Sequence, residues 1–297
     1  MYHTDSSVYY EEEGGRDVMK KVYKILIEII VGILCLFYLY PIYIVFVNAF
    51  KNRQELYENT LALPKRFTPE YFLKAMEKME FLNAFKNSLI VTVVSIAILV
   101  ILASMTAWML VRVNNKLSQT LFMIFVATMI IPFQTIMMPL MQVMGWIKNT
   151  FHIPMINTLG ALIYMNIGFG ASMAVFLYHG FVKSIPLSLE EAATIDGCNK
   201  AGVFWKIVFP MLKPTTATVI ILDVIWIWND YLLPSLVLSS RERRTVPLST
   251  ASFFGQFTIE WNLAMAGLLL TITPVVIFYL AAQKYIIKGV AAGAVKL

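Results

Sequence analysis

Six long apolar stretches dominate this chain and restrict what it can fold into. The hydrocarbon core of a membrane is about 30 Å thick, and a helix needs roughly 20 apolar residues to cross it. Backbone polar groups in lipid must be satisfied within the segment, so each stretch is expected to be a helix. The sequence therefore predicts an all-α integral membrane protein with six transmembrane helices. The predicted spans are residues 25–47, 84–111, 121–146, 155–182, 215–238 and 263–285.

The amino-acid composition excludes an ordinary soluble domain. Hydrophobic residues make up 59% of the chain and charged residues only 14%, too few to cover a soluble surface. The net charge of +6 suits a membrane protein and gives no indication of nucleic-acid binding. Cys35 and Cys198 offer neither a disulfide framework nor zinc-ligand spacing. The histidines are too scattered to predict a metal site or a catalytic triad.

The chain is predicted to be one six-span domain with two short tails. We expect residues 1–24 to form the N-terminal tail, residues 25–285 the span domain and residues 286–297 the C-terminal tail. The first span has no small-residue cleavage site and is expected to be retained. Basic residues near the ends of the short loops favour cytoplasmic N- and C-termini. Prolines inside the spans should bend or break them locally. They are Pro132, Pro139 and Pro274.

One polar segment interrupts the apolar pattern between the fourth and fifth predicted spans. Ser188 followed by Glu191 matches a capping box, so a short helix over Leu189–Asp196 is expected. Gly197 supplies the left-handed residue that ends this helix. Asn199 is then placed to cap a second helix. The sequence therefore predicts a helix-turn-helix at a membrane surface.

The second helix of this polar segment is amphipathic. Its apolar side chains recur at i, i+3, i+4 and i+7, and the opposite face carries two lysines. Such a helix either docks in a groove of a partner protein or rests on lipid headgroups, and spacing alone does not separate the two. The apolar residues are Phe204, Ile207, Val208 and Met211, and the lysines are Lys200 and Lys206.

Residues 190–210, EEAATIDGCNKAGVFWKIVFP, resemble the EAA loop of permease subunits in ABC importers. The family pattern is Glu-Ala-Ala, three residues, Gly, nine residues, Ile, one residue, Leu-Pro. Phe209 stands where the family usually has Leu, and Cys198 stands where a small Ala is common. The positions that match are Glu191, Ala192, Ala193, Gly197, Ile207 and Pro210.

The resemblance continues to the end of the chain. WNDYLLP, residues 228–234, is similar to a fifth-span sequence of the carbohydrate-uptake branch related to maltose permeases. TPVVIFYLAAQKYIIKGVAAGAVK, residues 273–296, resembles the C-terminal signature of that branch, although Leu297 stands where the family commonly ends in Gly. The likeness covers the chain from about residue 25 onward and suits the smaller of the two permeases in such systems.

The resemblance implies the type I ABC importer permease fold, with residues 186–213 as a cytoplasmic coupling loop. The implied partners are a homologous second permease, two ATPase subunits that hold ATP and magnesium, an extracytoplasmic sugar-binding protein, a carbohydrate and membrane lipid. The chain lacks the sequence G-x-x-x-x-G-K-[ST], so we expect it to be no enzyme and to hold no cofactor itself. The implied coupling residues are Ser188, Glu190, Glu191, Ala192, Ala193, Asp196, Gly197, Ile207 and Pro210.

Polar residues inside the spans are costly in lipid and are candidates for lining a translocation path. Asp223, Trp226 and Asp230 are spaced i, i+3 and i+7, which predicts one helical face. Asn229 lies close by, and an acid beside a Trp suits hydrogen bonding and stacking with a sugar. The alternative is an aromatic belt at the membrane boundary. Asn166 in the fourth span is a further candidate, although the glycines near it also fit close helix packing.

Three arginines lie in the predicted outer segment between the last two spans: Arg241, Arg243 and Arg244. By resemblance, this segment faces the solute-binding protein, and the arginines are docking candidates. The alternative is that they recruit an anionic oligosaccharide.

The resemblance therefore implies the permease subunit of an ATP-driven, binding-protein-dependent sugar importer in a bacterial cytoplasmic membrane, working by alternating access. One alternative keeps the importer and changes its cargo to a glycerol-phosphate ester or another polar solute. Another is a stand-alone ion-coupled secondary transporter, which predicts an inverted internal repeat and leaves the polar loop unexplained.

Overall fold

The computed structural model describes the backbone of residues 6–255 and 259–294 and the side chains of residues 20–255 and 259–283. Regular structure in this part of the chain is helical, apart from an isolated bridge between Phe254 and Ile259. The predicted all-α class is therefore confirmed. The end of the predicted C-terminal tail lies outside the described residues. The main helices are α1 Ser6–Asn48, α2 Arg53–Glu58, α3 Glu70–Lys78, α4 Phe81–Val113, α5 Lys116–Thr128, α6 Phe133–Phe151, α7 Leu159–Val182, α8 Leu187–Ile195, α9 Lys200–Met211, α10 Lys213–Asn229, α11 Leu232–Val237, α12 Val246–Ser249 and α13 Trp261–Ala294.

Four helices of the described part are long and apolar enough to cross a membrane, and two bent helix pairs raise the number to six if each pair is one span. The four are α1, α4, α7 and α13. Helices α5 and α6 meet at 108°, and α9 and α10 meet at 73°. Pro132 stands at the first of these breaks, as expected for a residue without an N–H group. Pro139 and Pro274 do not divide their helices.

The apolar middle of helix α1 is exposed in the described part of the chain. None of the residues in its most apolar 18-residue window is buried, although Val47 and Asn48 at its end are. This helix begins at Ser6, so its start does not coincide with the predicted boundary between tail and span at residue 25. An apolar helix surface that the described residues leave uncovered suits contact with lipid or with another subunit.

The parallel helices α4 and α7 form the centre of the fold. At one end, Asn87 of α4 donates to the carbonyl of Arg244 at 3.0 Å, and Asn157, just before α7, donates to the hydroxyl of Ser240 at 2.6 Å. At the other end, Arg112 of α4 donates to the carbonyl of Ile185, just after α7, at 3.0 Å. We call the first the outer end of the molecule and the second the inner end.

Close packing at Gly170 brings a third helix, α10, against α4 and α7. A Cβ atom on Gly170 would lie 2.8 Å from Leu99 Cδ2 and 3.4 Å from Asp223 Oδ1. A Cβ atom on Gly168, earlier in the same helix, would meet nothing within 4 Å. The glycine at position 170 therefore permits a close helix approach, as small residues do in membrane helix interfaces.

Two short helices, α2 and α3, cover the outer end between α1 and α4. Lys51 is buried beneath this segment and donates from Nζ to the carbonyl of Asn59 at 2.8 Å, and burial lowers the pKa of its ammonium group. Lys78 at the end of α3 pairs with Glu260 at 2.6 Å, which ties the segment to the start of α13.

Candidate functional site

The polar segment forms a helix-turn-helix at the inner end of the molecule, but its first helix begins differently from the sequence prediction. Pro186 is the N-cap residue of α8, and no side chain in the described ranges caps this end. The extended backbone of Pro186 lets the helix begin at Leu187. Ser188 therefore lies inside the helix, and the predicted Ser188–Glu191 capping box is wrong.

The turn between α8 and α9 follows the prediction. Gly197 has a φ of 87°, in the left-handed region, and its N–H donates to the carbonyl of Thr194 at 3.0 Å. The N–H of Cys198 donates to the carbonyl of Ala193 at 3.0 Å, so the end of α8 is well bonded. Asn199 caps α9 by accepting a hydrogen bond from the N–H of Gly202 at 2.8 Å. Both the Gly197 turn and the Asn199 cap are confirmed.

Replacing Gly197 with alanine is expected to lower the free energy of unfolding by about 1–2 kcal/mol, because an L-residue is strained in the left-handed region. Space is not the cause, since a Cβ atom there would meet nothing within 4 Å. Gly180→Ala is the matched control, because Gly180 lies within α7 and also has open space around it. The control should be neutral or slightly stabilising. Thermal unfolding in detergent compares the two variants, and equal effects would contradict this account.

Glu190 faces inward and ties α8 to the inner end of α4. Its side chain is 6% exposed, and Oε1 accepts from Arg112 Nη2 at 2.6 Å and from Arg112 Nε at 2.8 Å. The other carboxylate oxygen, Oε2, accepts from Trp108 Nε1 at 3.0 Å. Arg112 also donates to the Ile185 carbonyl, so one guanidinium group holds both ends of the connection into α8. The glutamate of this ion pair is buried and the arginine is partly buried, and their charge-assisted hydrogen bonds hold α8 in a defined orientation on α4.

Sequence reasoning placed Glu190 among the coupling residues but missed Trp108 and Arg112. The two partners precede Glu190 by 82 and 78 positions, and no local spacing signals such a contact. The charge of Arg112 at the end of a predicted span was visible in the sequence, but it fits a snorkelling side chain equally well.

The face of α8 that points away from the rest of the chain is exposed. Leu187, Glu191 and Ile195 follow one another at intervals of four residues and form a stripe that we call the coupling face. All three are exposed, and Ile195 is 86% exposed. Ala192 and Asp196 are also exposed, whereas Ala193 is buried against the rest of the chain. Neighbouring glutamates thus point in opposite directions, Glu190 into the protein and Glu191 away from it.

Helix α9 buries only part of its predicted apolar face. Phe204 and Val208 are buried, and the Phe204 ring packs 5.4 Å from that of Trp108. Residues 204–208 are π-helical, which adds a residue to one turn and shifts the register of the rest of the helix. Ile207 and Pro210 are therefore only partly buried, and Met211 is exposed, contrary to the prediction for Met211. Lys200 and Lys206 are exposed as expected.

The polar residues of the fifth predicted span do not share one face. Helix α10 ends at Asn229, so the i+7 relation of Asp230 to Asp223 fails. Asp230 instead accepts from the N–H of Leu232, the first residue of α11, at 3.0 Å. Asp223 is 6% exposed and points toward Gly170, whereas Trp226 is 41% exposed on the surface of the chain. Their role in a translocation path stays a prediction.

Asn166 lies in the interior near the same three-helix packing. It is 2% exposed, and its Oδ1 has no hydrogen-bond partner in the described part of the chain. The side-chain polar atoms of Ser95 and Trp228, on α4 and α10, are also buried without such a partner. Asn166 thus contributes to a polar interior and does not present an open surface in this conformation.

The three arginines lie at the outer end, where two of them hold the connecting segment in place. Arg241 pairs with Glu80 at 2.8 Å and donates to the carbonyl of Lys78 at 2.7 Å. Arg243 donates to the carbonyl of Asn157. Arg244 is half-buried, and its carbonyl accepts from Asn87. Arg241 and Arg243 remain exposed despite these bonds. Their docking role stays a prediction.

Comparison with known proteins identifies the relatives of this chain. A sequence model of the family described as binding-protein-dependent transport system inner membrane component matches residues 99–292. The chain is 47% identical to the probable starch degradation products transport system permease protein AmyC of Thermoanaerobacterium thermosulfurigenes, over 94% of this chain and 100% of that relative. It is 35% identical to the melibiose/raffinose/stachyose import permease protein MelC of Bacillus subtilis (strain 168), over 91% of this chain and 96% of that relative.

A solved structure shares the fold. It is the crystal structure of a bacterial ABC transporter involved in the import of the acidic polysaccharide alginate, which matches with a TM-score of 0.76 at 20% sequence identity. The match covers 90% of this chain and 97% of that chain. At this identity the likeness shows the fold alone.

Proposed function

This chain belongs to the family of binding-protein-dependent transport system inner membrane components, and from that premise we propose that it is the permease subunit of an ATP-driven importer of sugars or oligosaccharides. Two relatives, at 47% and 35% identity, are named for the transport of starch degradation products and of melibiose, raffinose and stachyose. These names support an oligosaccharide cargo. Neither of these two relatives is named for a glycerol-phosphate ester.

The arrangement of α8 is the observation that carries the mechanism. Glu190 fixes the helix to α4 through Arg112 and Trp108, while the coupling face opposite it is exposed. A helix held by one side and open on the other can transmit a push from a docked partner to the spans. In this proposal an ATPase subunit binds the coupling face, and its closure moves α4 and the helices packed on it as a rigid body.

The partners follow from the same proposal. They are a homologous second permease, two ATPase subunits that hold ATP and magnesium, and an extracytoplasmic sugar-binding protein. The inner end would then be cytoplasmic, as would both termini, in a bacterial cytoplasmic membrane. The uncovered apolar side of α1 supports contact with lipid or with the second permease.

The direct test is sugar uptake by the complete complex in proteoliposomes. With ATP inside the vesicles and the binding protein outside, a starch-derived or raffinose-type oligosaccharide should accumulate well above the level reached with ADP inside. Glycerol 3-phosphate serves as the competing cargo, and collapse of ion gradients serves as the control for secondary transport. Uptake that is independent of ATP and depends on an ion gradient would contradict the proposal.

A further inference from the structure

A cavity of about 480 Å³ opens at the inner end of the molecule, apart from the coupling face. It lies between the inner ends of α4 and α7 and the first two turns of α5. Both α4 and α7 leave their apolar segments here, so the cavity stands at the level where a membrane's hydrocarbon gives way to headgroups. The lining residues are Leu110, Val111, Arg112, Asn114, Ser118, Gln119, Phe122, Met123, His179 and Lys183.

The charged side chains that line the cavity are cationic. Arg112 is already neutralised by Glu190, whereas Lys183 is exposed and forms no ion pair with a carboxylate of the described residues. Among the described residues, no Asp or Glu belongs to the lining. His179 is held by stacking on Phe122, with 3.6 Å between the ring centroids. The cavity therefore favours an anion, and Lys183 is the cation placed to meet it.

The lining also has hydrogen-bond donors on one side and apolar side chains on the other. On the polar side, Gln119 Nε2 donates to Asn114 Oδ1 at 3.3 Å, and the Asn114 amide N–H groups supply further donors to the cavity. Phe122 and Met123, one turn further along α5, form an apolar side toward the span. A ligand that fits both sides has an anionic head with acceptor oxygens and an apolar tail.

We propose that this cavity binds the headgroup of an anionic phospholipid, with Lys183 contacting the phosphodiester and the acyl chains lying along Phe122 and Met123. Basic pockets between membrane helices are known sites for such headgroups. The inference requires only that the chain spans a membrane, so it is independent of cargo and of ATP. Because Arg112 lines the cavity and also holds Glu190, the lipid would lie directly behind the helix that carries the coupling face.

The test is lipid binding to the purified full-length protein in neutral detergent, titrated with phosphatidylglycerol and, separately, with phosphatidylcholine. Phosphatidylglycerol should bind and raise the thermal unfolding temperature, and phosphatidylcholine should not. Lys183→Ala should weaken phosphatidylglycerol binding about fivefold, the effect of removing one cation at a membrane surface. Lys183→Arg should retain binding.

Lys116→Ala is the matched control, because Lys116 is an exposed lysine at the same end of the molecule that does not line the cavity. It should leave binding nearly unchanged. An equal loss in the Lys116 and Lys183 variants would show diffuse attraction and overturn the site. Inorganic phosphate and glycerol 3-phosphate test for a soluble occupant. Stabilisation by either one that depends on Lys183 would replace the lipid with a free phosphate compound and overturn the proposal.

Discussion

Replacing Arg112 with methionine is expected to lower the free energy of unfolding by about 3 kcal/mol, the lower end of the cost of breaking a buried ion pair, because the Arg112 side chain is 20% exposed. The buried Glu190 side chain would lose both of its hydrogen bonds from the guanidinium group and retain the one from Trp108 Nε1. The same change releases the Ile185 carbonyl and loosens α8 from α4. We therefore expect sugar-stimulated ATP hydrolysis by the assembled complex to be lost as well.

Two comparisons separate coupling from stability in this experiment. Lys116→Met removes an exposed cation at the same end and should change stability by less than about 0.5 kcal/mol. The double variant Arg112→Met, Glu190→Met replaces the pair with apolar side chains and should recover part of the stability, because the buried Trp108 Nε1 still loses its acceptor. It lacks the bonds that hold α8 to α4, so its sugar-stimulated hydrolysis should stay low. If the double variant recovered full sugar-stimulated ATP hydrolysis, the ion pair would contribute to stability alone, and its role in coupling would be contradicted.

Glu191→Arg is expected to give the opposite pattern from Arg112→Met, although Glu191 is adjacent to Glu190. Glu191 is exposed on the coupling face, so reversing its charge should leave the fold stable within about 0.5 kcal/mol. Charge reversal in an interface costs several kcal/mol, so binding of the ATPase subunit should weaken by at least about tenfold. Affinity for the purified ATPase subunit and thermal unfolding measure the two effects on the same sample.

Glu77→Arg is the control for this variant, because Glu77 is an exposed glutamate on α3 at the outer end. It makes the same change of charge far from the coupling face and should retain the ATPase. The proposed docking of α8 fails if Glu191→Arg binds the ATPase as well as the Glu77 variant does.

Short sequence patterns correctly predicted the features that depend on a few neighbouring residues. The apolar stretches indicated the helical class, because a membrane helix satisfies its backbone within one segment. Gly197 and Asn199 were predicted correctly because a left-handed turn and an N-cap are each decided by a few neighbouring residues. The predicted N-cap role of Ser188 was wrong for a local reason as well, because the helix begins at Leu187, directly after Pro186.

Contacts between segments far apart in the chain could not be predicted from the sequence patterns. The bond from Glu190 to Arg112 depends on how α4 and α8 meet, and neither residue type marks the pairing. The predicted face of Asp223, Trp226 and Asp230 assumed an unbroken helix, whereas α10 ends before Asp230. The π-helical turn in α9 likewise shifted Met211 out of the apolar face that its spacing predicted.

Native mass spectrometry of the complex, purified through this chain from its own membranes, tests the central claim most directly. The proposal predicts one copy of this chain with one second permease and two ATPase subunits, and it predicts that the Glu191→Arg variant loses ATPase subunits. A monomer or homodimer of this chain, free of any ATPase and still able to transport, would contradict it.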